Sequence, residues 1–149
     1  MANPVVEALL GKHGPLPKKI NRRQHAVLDY VVTAAFLTMA GAFWPRHKRA
    51  SITAMINAGM VLGVTLLTNY EGGAKPVFSF KGHGQMDLLQ AGTAAFLPLM
   101  LGFGHEAAGI PFHLQAVSEL AVVNMTDWDG ENTEGMEAED LFERVRDAA

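Results

Sequence analysis

The chain contains no cysteine among its 149 residues. Disulfide bonds, thiol catalysis and cysteine-ligated zinc or iron–sulfur sites are therefore excluded. Charge is also scarce, since 18% of the residues are charged against roughly 25% in an average soluble chain. The net charge of −3 at pH 7 gives no basis for nucleic-acid binding. The sequence also lacks nucleophile-elbow, kinase and zinc-protease patterns.

The little charge that exists is kept out of four apolar runs, which only Asp29 and Glu119 interrupt. Each run is about 17 to 20 residues long, close to the length that an α-helix needs to cross a hydrocarbon core. A bilayer imposes such a partition, because an unpaired charge in hydrocarbon costs several kcal/mol. The runs cover residues 26–45, 50–68, 88–104 and 109–125.

The sequence therefore predicts an all-α fold, a bundle of four transmembrane helices. A soluble four-helix bundle would carry a polar stripe opposite its core, and these segments show almost none at 3.6-residue spacing. We expect a basic N-terminal arm at 1–21, the membrane domain at 22–130 and an acidic tail at 131–149. Lysine and arginine are concentrated on the side of the termini, which favours cytoplasmic termini. The exceptions are Arg46, Lys48 and Arg49.

A constant shift of 58 residues along the chain superimposes the two halves of the membrane domain without a gap. We call it the repeat shift. It carries His25 onto His83 and Asp29 onto Asp87, so each half opens with His-x-x-x-Asp. Thr-polar-aromatic-acid-Gly closes each half, at 68–72 and at 126–130. We interpret 22–79 and 80–130 as tandem helical-hairpin repeats, related by an axis along the membrane normal. Six residues are then expected at one membrane face: His25, Asp29, Glu71, His83, Asp87 and Asp129.

These motifs resemble those of the SPW-repeat family, small bacterial integral membrane proteins whose chains carry two double-helix repeats. The resemblance covers roughly residues 20 to 130 and rests on both His-x-x-x-Asp motifs, on Leu-Thr-Asn-Tyr-Glu at 67–71 and on Glu119. The Ser-Pro-Trp tripeptide that names the family is absent; 42–45 reads Ala-Phe-Trp-Pro and 101–103 reads Leu-Gly-Phe. The resemblance implies the two-hairpin architecture and a location in the bacterial inner membrane, and it implies no reaction.

Three interpretations of the six-residue set stay open at the level of sequence. Histidines and carboxylates from four helices are the ligand inventory of a divalent-metal centre, and such donors suit zinc, iron or manganese. The same side chains can instead pair with one another as a hydrogen-bonded clamp between helix ends, because polar groups in membrane helices need partners. They can also handle protons or ions.

Glu119 lies near the middle of the fourth run, with Gln115 one turn earlier on the same helix face. It is either a proton-relay or ligand-binding acid, or a hydrogen-bonded tie between helices through Asn57 or Asn124. Its counterpart under the repeat shift is Val61. Glu119 therefore breaks the symmetry of the two halves.

The sequence favours a non-catalytic structural or accessory membrane subunit, with the bilayer and other membrane subunits, or further copies of itself, as partners. Two alternatives remain: a divalent-metal-binding membrane protein or metal-dependent membrane enzyme, and a small proton-coupled carrier that uses Glu119. A divalent metal is the one cofactor that the residues suggest. The aromatic residues at segment ends are typical of an interfacial belt: Tyr30, Trp44, Tyr70 and Trp128.

Overall fold

A computed structural model describes residues 15–129 and the single position 8. The acidic tail predicted at 131–149 and most of the predicted arm lie outside these residues. Within them the chain forms four α-helices and no β-strand, which confirms the predicted all-α fold. The helices are α1 (Arg22–Phe43), α2 (Lys48–Leu66), α3 (Phe80–Met100) and α4 (Ile110–Met125), with a 3-10 turn at Ala107–Gly109.

Side-chain caps fix the starts of α1 and α3. Asn21 accepts a hydrogen bond from the backbone N–H of Gln24, and the Gln24 side chain accepts one from the backbone N–H of Asn21, which forms a capping box. Ser79 accepts from the backbone N–H of Gly82 at the start of α3. The helices begin at positions 22 and 80, which the repeat shift superimposes. Each His-x-x-x-Asp motif consequently lies in the first two turns of its helix.

Two of the four helices, α1 and α2, have the length and apolar composition needed to cross a membrane. Among the described helices, α3 and α4 do not meet the same criterion. Polar residues fill the first half of α3, including Lys81, Gln85 and Gln90, and α4 has 16 residues. Four membrane spans therefore stay a prediction.

Many polar side chains are buried between the helices, and many large apolar side chains face outward. Gln90 of α3 donates a 2.7 Å hydrogen bond to Asn57 of α2, and both residues are buried. Exposed apolar residues occur on every helix, and include Val31, Leu37, Ile52, Met55, Leu89, Phe96, Leu114 and Val117. The outer surface is thus apolar on all four helices.

Short backbone pairings close the bundle at the end where α1 and α3 begin. The Ile20 N–H donates to the Met125 carbonyl over 3.0 Å, and the Phe78 N–H donates to the Leu67 carbonyl over 2.9 Å. The two contacts are equivalent, because the repeat shift carries position 20 onto 78 and position 67 onto 125. Each His-x-x-x-Asp helix is therefore anchored just before its first turn.

The helices pack in a chain of neighbours, with α1 against α2, α2 against α3 and α3 against α4. The pair that would complete the ring, α1 and α4, is much less closely packed. A cavity lies between these two helices.

Candidate functional site

Two histidines and two aspartates from α1 and α3 meet inside the bundle. His25 Nε2 lies 3.3 Å from His83 Nε2. Each carboxylate spans the two nitrogens: Asp87 lies 3.1 Å from His25 Nε2 and 3.2 Å from His83 Nε2, while Asp29 lies at 3.5 and 3.3 Å from the same atoms. Both imidazoles are 1% exposed, Asp29 is 8% exposed and Asp87 is 9% exposed. Water therefore contributes little to solvating the two carboxylates.

Two threonines fix which nitrogen of each imidazole carries the proton. Thr68 Oγ1 lies 2.7 Å from His83 Nδ1 and also donates its only proton to the Val64 carbonyl. A hydroxyl that donates to the Val64 carbonyl accepts a hydrogen bond from Nδ1–H, and we assign this tautomer to His83. The equivalent contacts at the first histidine join Thr126 Oγ1 to His25 Nδ1 over 2.9 Å and to the Val122 carbonyl over 2.7 Å. In a neutral ring the Nε2 lone pair then faces the centre of the cluster.

Two neutral imidazoles in this tautomer would direct only lone pairs at one another and at two carboxylates. Two ionised aspartates beside two neutral imidazoles leave the cluster negatively charged, so positive charge is needed to neutralise it. Two imidazolium rings paired with two carboxylates would balance the charge, and so would one divalent cation with two neutral rings. In both cases the net charge of the cluster is zero, and the two cases differ in what lies between the Nε2 atoms.

The spacing of the donor atoms suits a metal ion. A tetrahedral ion with nitrogen and oxygen ligands at about 2.0–2.1 Å keeps those ligand atoms about 3.3 Å apart. The two Nε2 atoms lie 3.3 Å apart, and Asp87 contacts them through different oxygens, with Oδ2 3.1 Å from His25 Nε2 and Oδ1 3.2 Å from His83 Nε2. One ligand atom from each of the three residues lies within 4.8 Å of the others. Asp29 is the next carboxylate, with Oδ1 3.5 Å from His25 Nε2 and Oδ2 3.3 Å from His83 Nε2.

The sequence predicted that Tyr70 and Trp128 belong to an interfacial belt. Instead, both side chains are buried beside the cluster. The Tyr70 hydroxyl donates a 2.6 Å hydrogen bond to Asp29. Burial and the neighbouring Asp29 carboxylate raise the pKa of the Tyr70 phenol above its usual value, so it stays a donor. Trp128 is 2% exposed and packs edge-on against His25 with ring centroids 4.8 Å apart. The repeated Thr-x-aromatic motif was the available signal for these roles.

Two of the six predicted cluster residues lie outside the cluster. Glu71 is half-exposed and pairs with Arg22 Nε at 3.4 Å. Asp129 pairs with Lys81 Nζ at 3.6 Å. Each acid follows the aromatic residue of its motif by one position, so it points to the basic residues at the start of a helix while the aromatic ring points inward. The structure therefore brings together four of the six residues.

Glu119 and Gln115 line the cavity that adjoins the cluster. Glu119 Oε2 is buried without a hydrogen-bond partner among the described residues. The amide groups proposed as its partners are engaged elsewhere: Asn57 bonds to Gln90 and to the Thr53 carbonyl, and the Asn124 side-chain amide donates to the Leu120 carbonyl. The predicted tie between helices is therefore not formed in this structure.

Comparisons of the chain with protein-family models, with curated proteins and with solved structures found no match. The resemblance to the SPW-repeat family thus stays a prediction from the motifs.

Proposed function

We propose that this protein is an integral membrane protein of two tandem helical hairpins that holds one divalent transition-metal ion. His25, His83 and Asp87 are the first three ligands, and Asp29 is the fourth. A nitrogen and oxygen donor set of this kind suits zinc, iron or manganese.

One observation carries the metal proposal: the two Nε2 atoms face each other at 3.3 Å while both Nδ1 protons are directed to threonine hydroxyls. Histidines that ligate metals generally donate their second N–H to an oxygen, which fixes the ring and raises its basicity. Both rings here have that partner, and the Tyr70 hydroxyl supplies the comparable bond to Asp29. The ligand set is thus oriented by side chains outside it.

The outward apolar surface supports the membrane part of the proposal. In the most apolar 18-residue stretch of α1, only 28% is buried inside the bundle, and in that of α2 44% is buried. The core helix of a soluble protein would be mostly buried. Exposed apolar side chains on α3 and α4, among them Leu89, Phe96, Leu114 and Val117, extend the same surface around the bundle.

Metal analysis of detergent-purified protein tests the proposal. The protein is stripped with chelator, loaded separately with zinc, iron(II) and manganese, and analysed for bound metal by mass spectrometry. We expect one ion per chain in the wild type and a loss of at least tenfold in affinity in His25→Gln and His83→Gln. His105→Gln is the matched control, because His105 is exposed at the opposite end of the bundle.

The competing clamp of imidazolium and carboxylate groups gives the opposite result. It requires no metal, so the wild type would then stay below stoichiometric loading under every condition. Retention of a single elution peak and of the helical circular-dichroism signal shows that each variant is folded. Unchanged metal content in a folded His83→Gln would also contradict the metal site.

The hypothesis of a structural or accessory subunit stays a prediction beside this one. It expects co-purification at fixed stoichiometry with larger membrane subunits. A metal-binding protein is compatible with such a complex, so that result would add a partner without removing the metal site.

A further inference from the structure

A partly open cavity of about 210 Å³ lies beside the loosely packed helices α1 and α4. Aliphatic side chains form one part of its wall, with Leu28 and Val32 from α1, Val61 from α2 and Val122 from α4. His25, Asp29 and Asp87 of the cluster line it as well, together with Glu119. The cavity therefore combines apolar side chains with the polar groups of the cluster and of Glu119.

The two interfaces of the bundle that the repeat shift relates differ in side-chain size. The buried positions of α2 and α3, which pack against each other, include Ala54 and Ala94, both fully buried. Their counterparts under the repeat shift are Phe112 of α4 and Phe36 of α1, whose rings stack with centroids 6.1 Å apart. These two rings stack between α1 and α4 and do not line the cavity.

Polar groups at the two interfaces differ as well. Asn57 and Gln90 bond to each other between α2 and α3. Their counterparts under the repeat shift are Gln115 and Val32, and both line the cavity. Glu119 occupies the position of Val61 and has a buried oxygen without a partner among the described residues. A hydrogen bond thus joins α2 to α3. The equivalent pair, α1 and α4, instead has a cavity that contains a Glu119 oxygen without a partner among the described residues.

We propose that this cavity binds a small hydroxyl-bearing ring compound, such as a phenol or an alicyclic alcohol, beside the metal ion. This inference rests on the proposed metal site. A cavity of about 150 Å³ already holds one benzene ring, so the present one has room for a ring with a substituent. A hydroxyl group fits the polar side chains of the cavity because it donates a hydrogen bond to Glu119 and presents an oxygen lone pair to the metal as a fifth ligand. The ring lies against Leu28, Val32 and Val122.

Ligand binding to the cobalt(II)-loaded protein provides the test, with 4-fluorophenol and 4-fluorotoluene as probes. Fluorine NMR reports occupancy of the cavity, and the visible absorption of cobalt reports contact with the metal. We expect saturable binding of 4-fluorophenol with a change in the cobalt spectrum, and at least tenfold weaker binding of 4-fluorotoluene. Glu119→Val, which copies the residue at position 61, should remove most of this discrimination.

Cavity-filling variants separate the site from partition into detergent. Val32→Phe and Val61→Phe fill the chamber from two different helices and should weaken 4-fluorophenol binding at least tenfold. Val31→Phe adds the same volume to the exposed face of α1 and should leave binding unchanged. Each variant is first shown to retain stoichiometric cobalt.

The outcomes distinguish this inference from the proposed function. Stoichiometric cobalt without saturable 4-fluorophenol binding, or binding that is unchanged in both cavity-filling variants, would overturn the inference and leave the metal site standing. Absence of bound cobalt would overturn the metal site and the metal contact together. Binding of 4-fluorophenol to that cobalt-free protein, lost in Val32→Phe, would still support the cavity as the binding site.

Discussion

At the scale of single residues, the threonine hydroxyls decide the chemistry of the two imidazoles. Thr68 and Thr126 each donate to a helical carbonyl and accept from a histidine Nδ1–H. This arrangement leaves both Nε2 atoms free to ligate. The role of these threonines depends on a rotamer and a tautomer, which the spacing of residues in the sequence does not reveal.

Removing either hydroxyl while keeping the side-chain shape tests this role. Thr68→Val and Thr126→Val should each weaken metal binding by about 10- to 100-fold, the range typical of lost partners to metal-bound histidines. Competition with a chelating dye measures the affinity. Thr38→Val is the matched control, since Thr38 also bonds to a helical carbonyl but is exposed. Equal affinities in the three variants would contradict the assigned tautomer.

Tyr70 gives a second prediction at this scale. Its pKa is raised by burial and by the Asp29 carboxylate, so the folded protein holds the phenol proton more tightly than the unfolded chain does. The resulting stability is fully present below about pH 10, the ordinary tyrosine pKa, and is lost as the pH rises above it. The wild type should therefore lose stability above about pH 10 more steeply than Tyr70→Phe does.

Absorbance in the tyrosinate band, taken as the difference between the wild type and Tyr70→Phe, measures the ionisation of Tyr70 alone. The account expects no tyrosinate signal from this residue in the folded protein at the pH where an ordinary tyrosine is half ionised, about 10. A normal titration midpoint for Tyr70 would show that its hydroxyl is not buried against Asp29.

At the scale of helices, the two interfaces that the repeat shift relates are built from side chains of different size. Ala54 lies fully buried on α2, and its counterpart Phe112 stacks on Phe36. Ala54→Leu should destabilise the protein by about 1–3 kcal/mol, because added methylenes cannot fit a closely packed interface. Ala35→Leu is the control on the exposed face of α1. Unfolding equilibria in detergent measure both, and equal stabilities would contradict close packing at Ala54.

The four helices could be predicted from the sequence more directly than the arrangement of the site. Apolar runs predicted all four helices, because a stretch without charge and of that length has few alternative structures. The pairing of His25 with His83 was expected from the repeat shift. The outward direction of the Glu71 and Asp129 side chains was not expected. It depends on the backbone path after each helix ends and on the nearby basic side chains of Arg22 and Lys81. The cavity was not predicted either, because its lining comes from helices that are distant in sequence, such as Val32 of α1 and Glu119 of α4.

At the scale of the whole molecule, the proposal places the loop at residues 101–109 on the opposite membrane face from the loop at 67–79. The absence of cysteine from the chain makes single-cysteine labelling straightforward. Lys75→Cys should react with a membrane-impermeant maleimide only from the cytoplasmic side, and His105→Cys only from the other side. Labelling of both positions from the same side would contradict the four-span arrangement.

The central claim is that one ion is held between two facing imidazoles, and X-ray absorption at the zinc edge tests it most directly. The zinc-loaded wild type should show about four nitrogen and oxygen neighbours at about 2.0–2.1 Å, with the outer-shell scattering of two imidazole rings. His83→Gln should lose one of the two rings. A spectrum without imidazole scattering, or one that is the same in wild type and His83→Gln, would contradict the account.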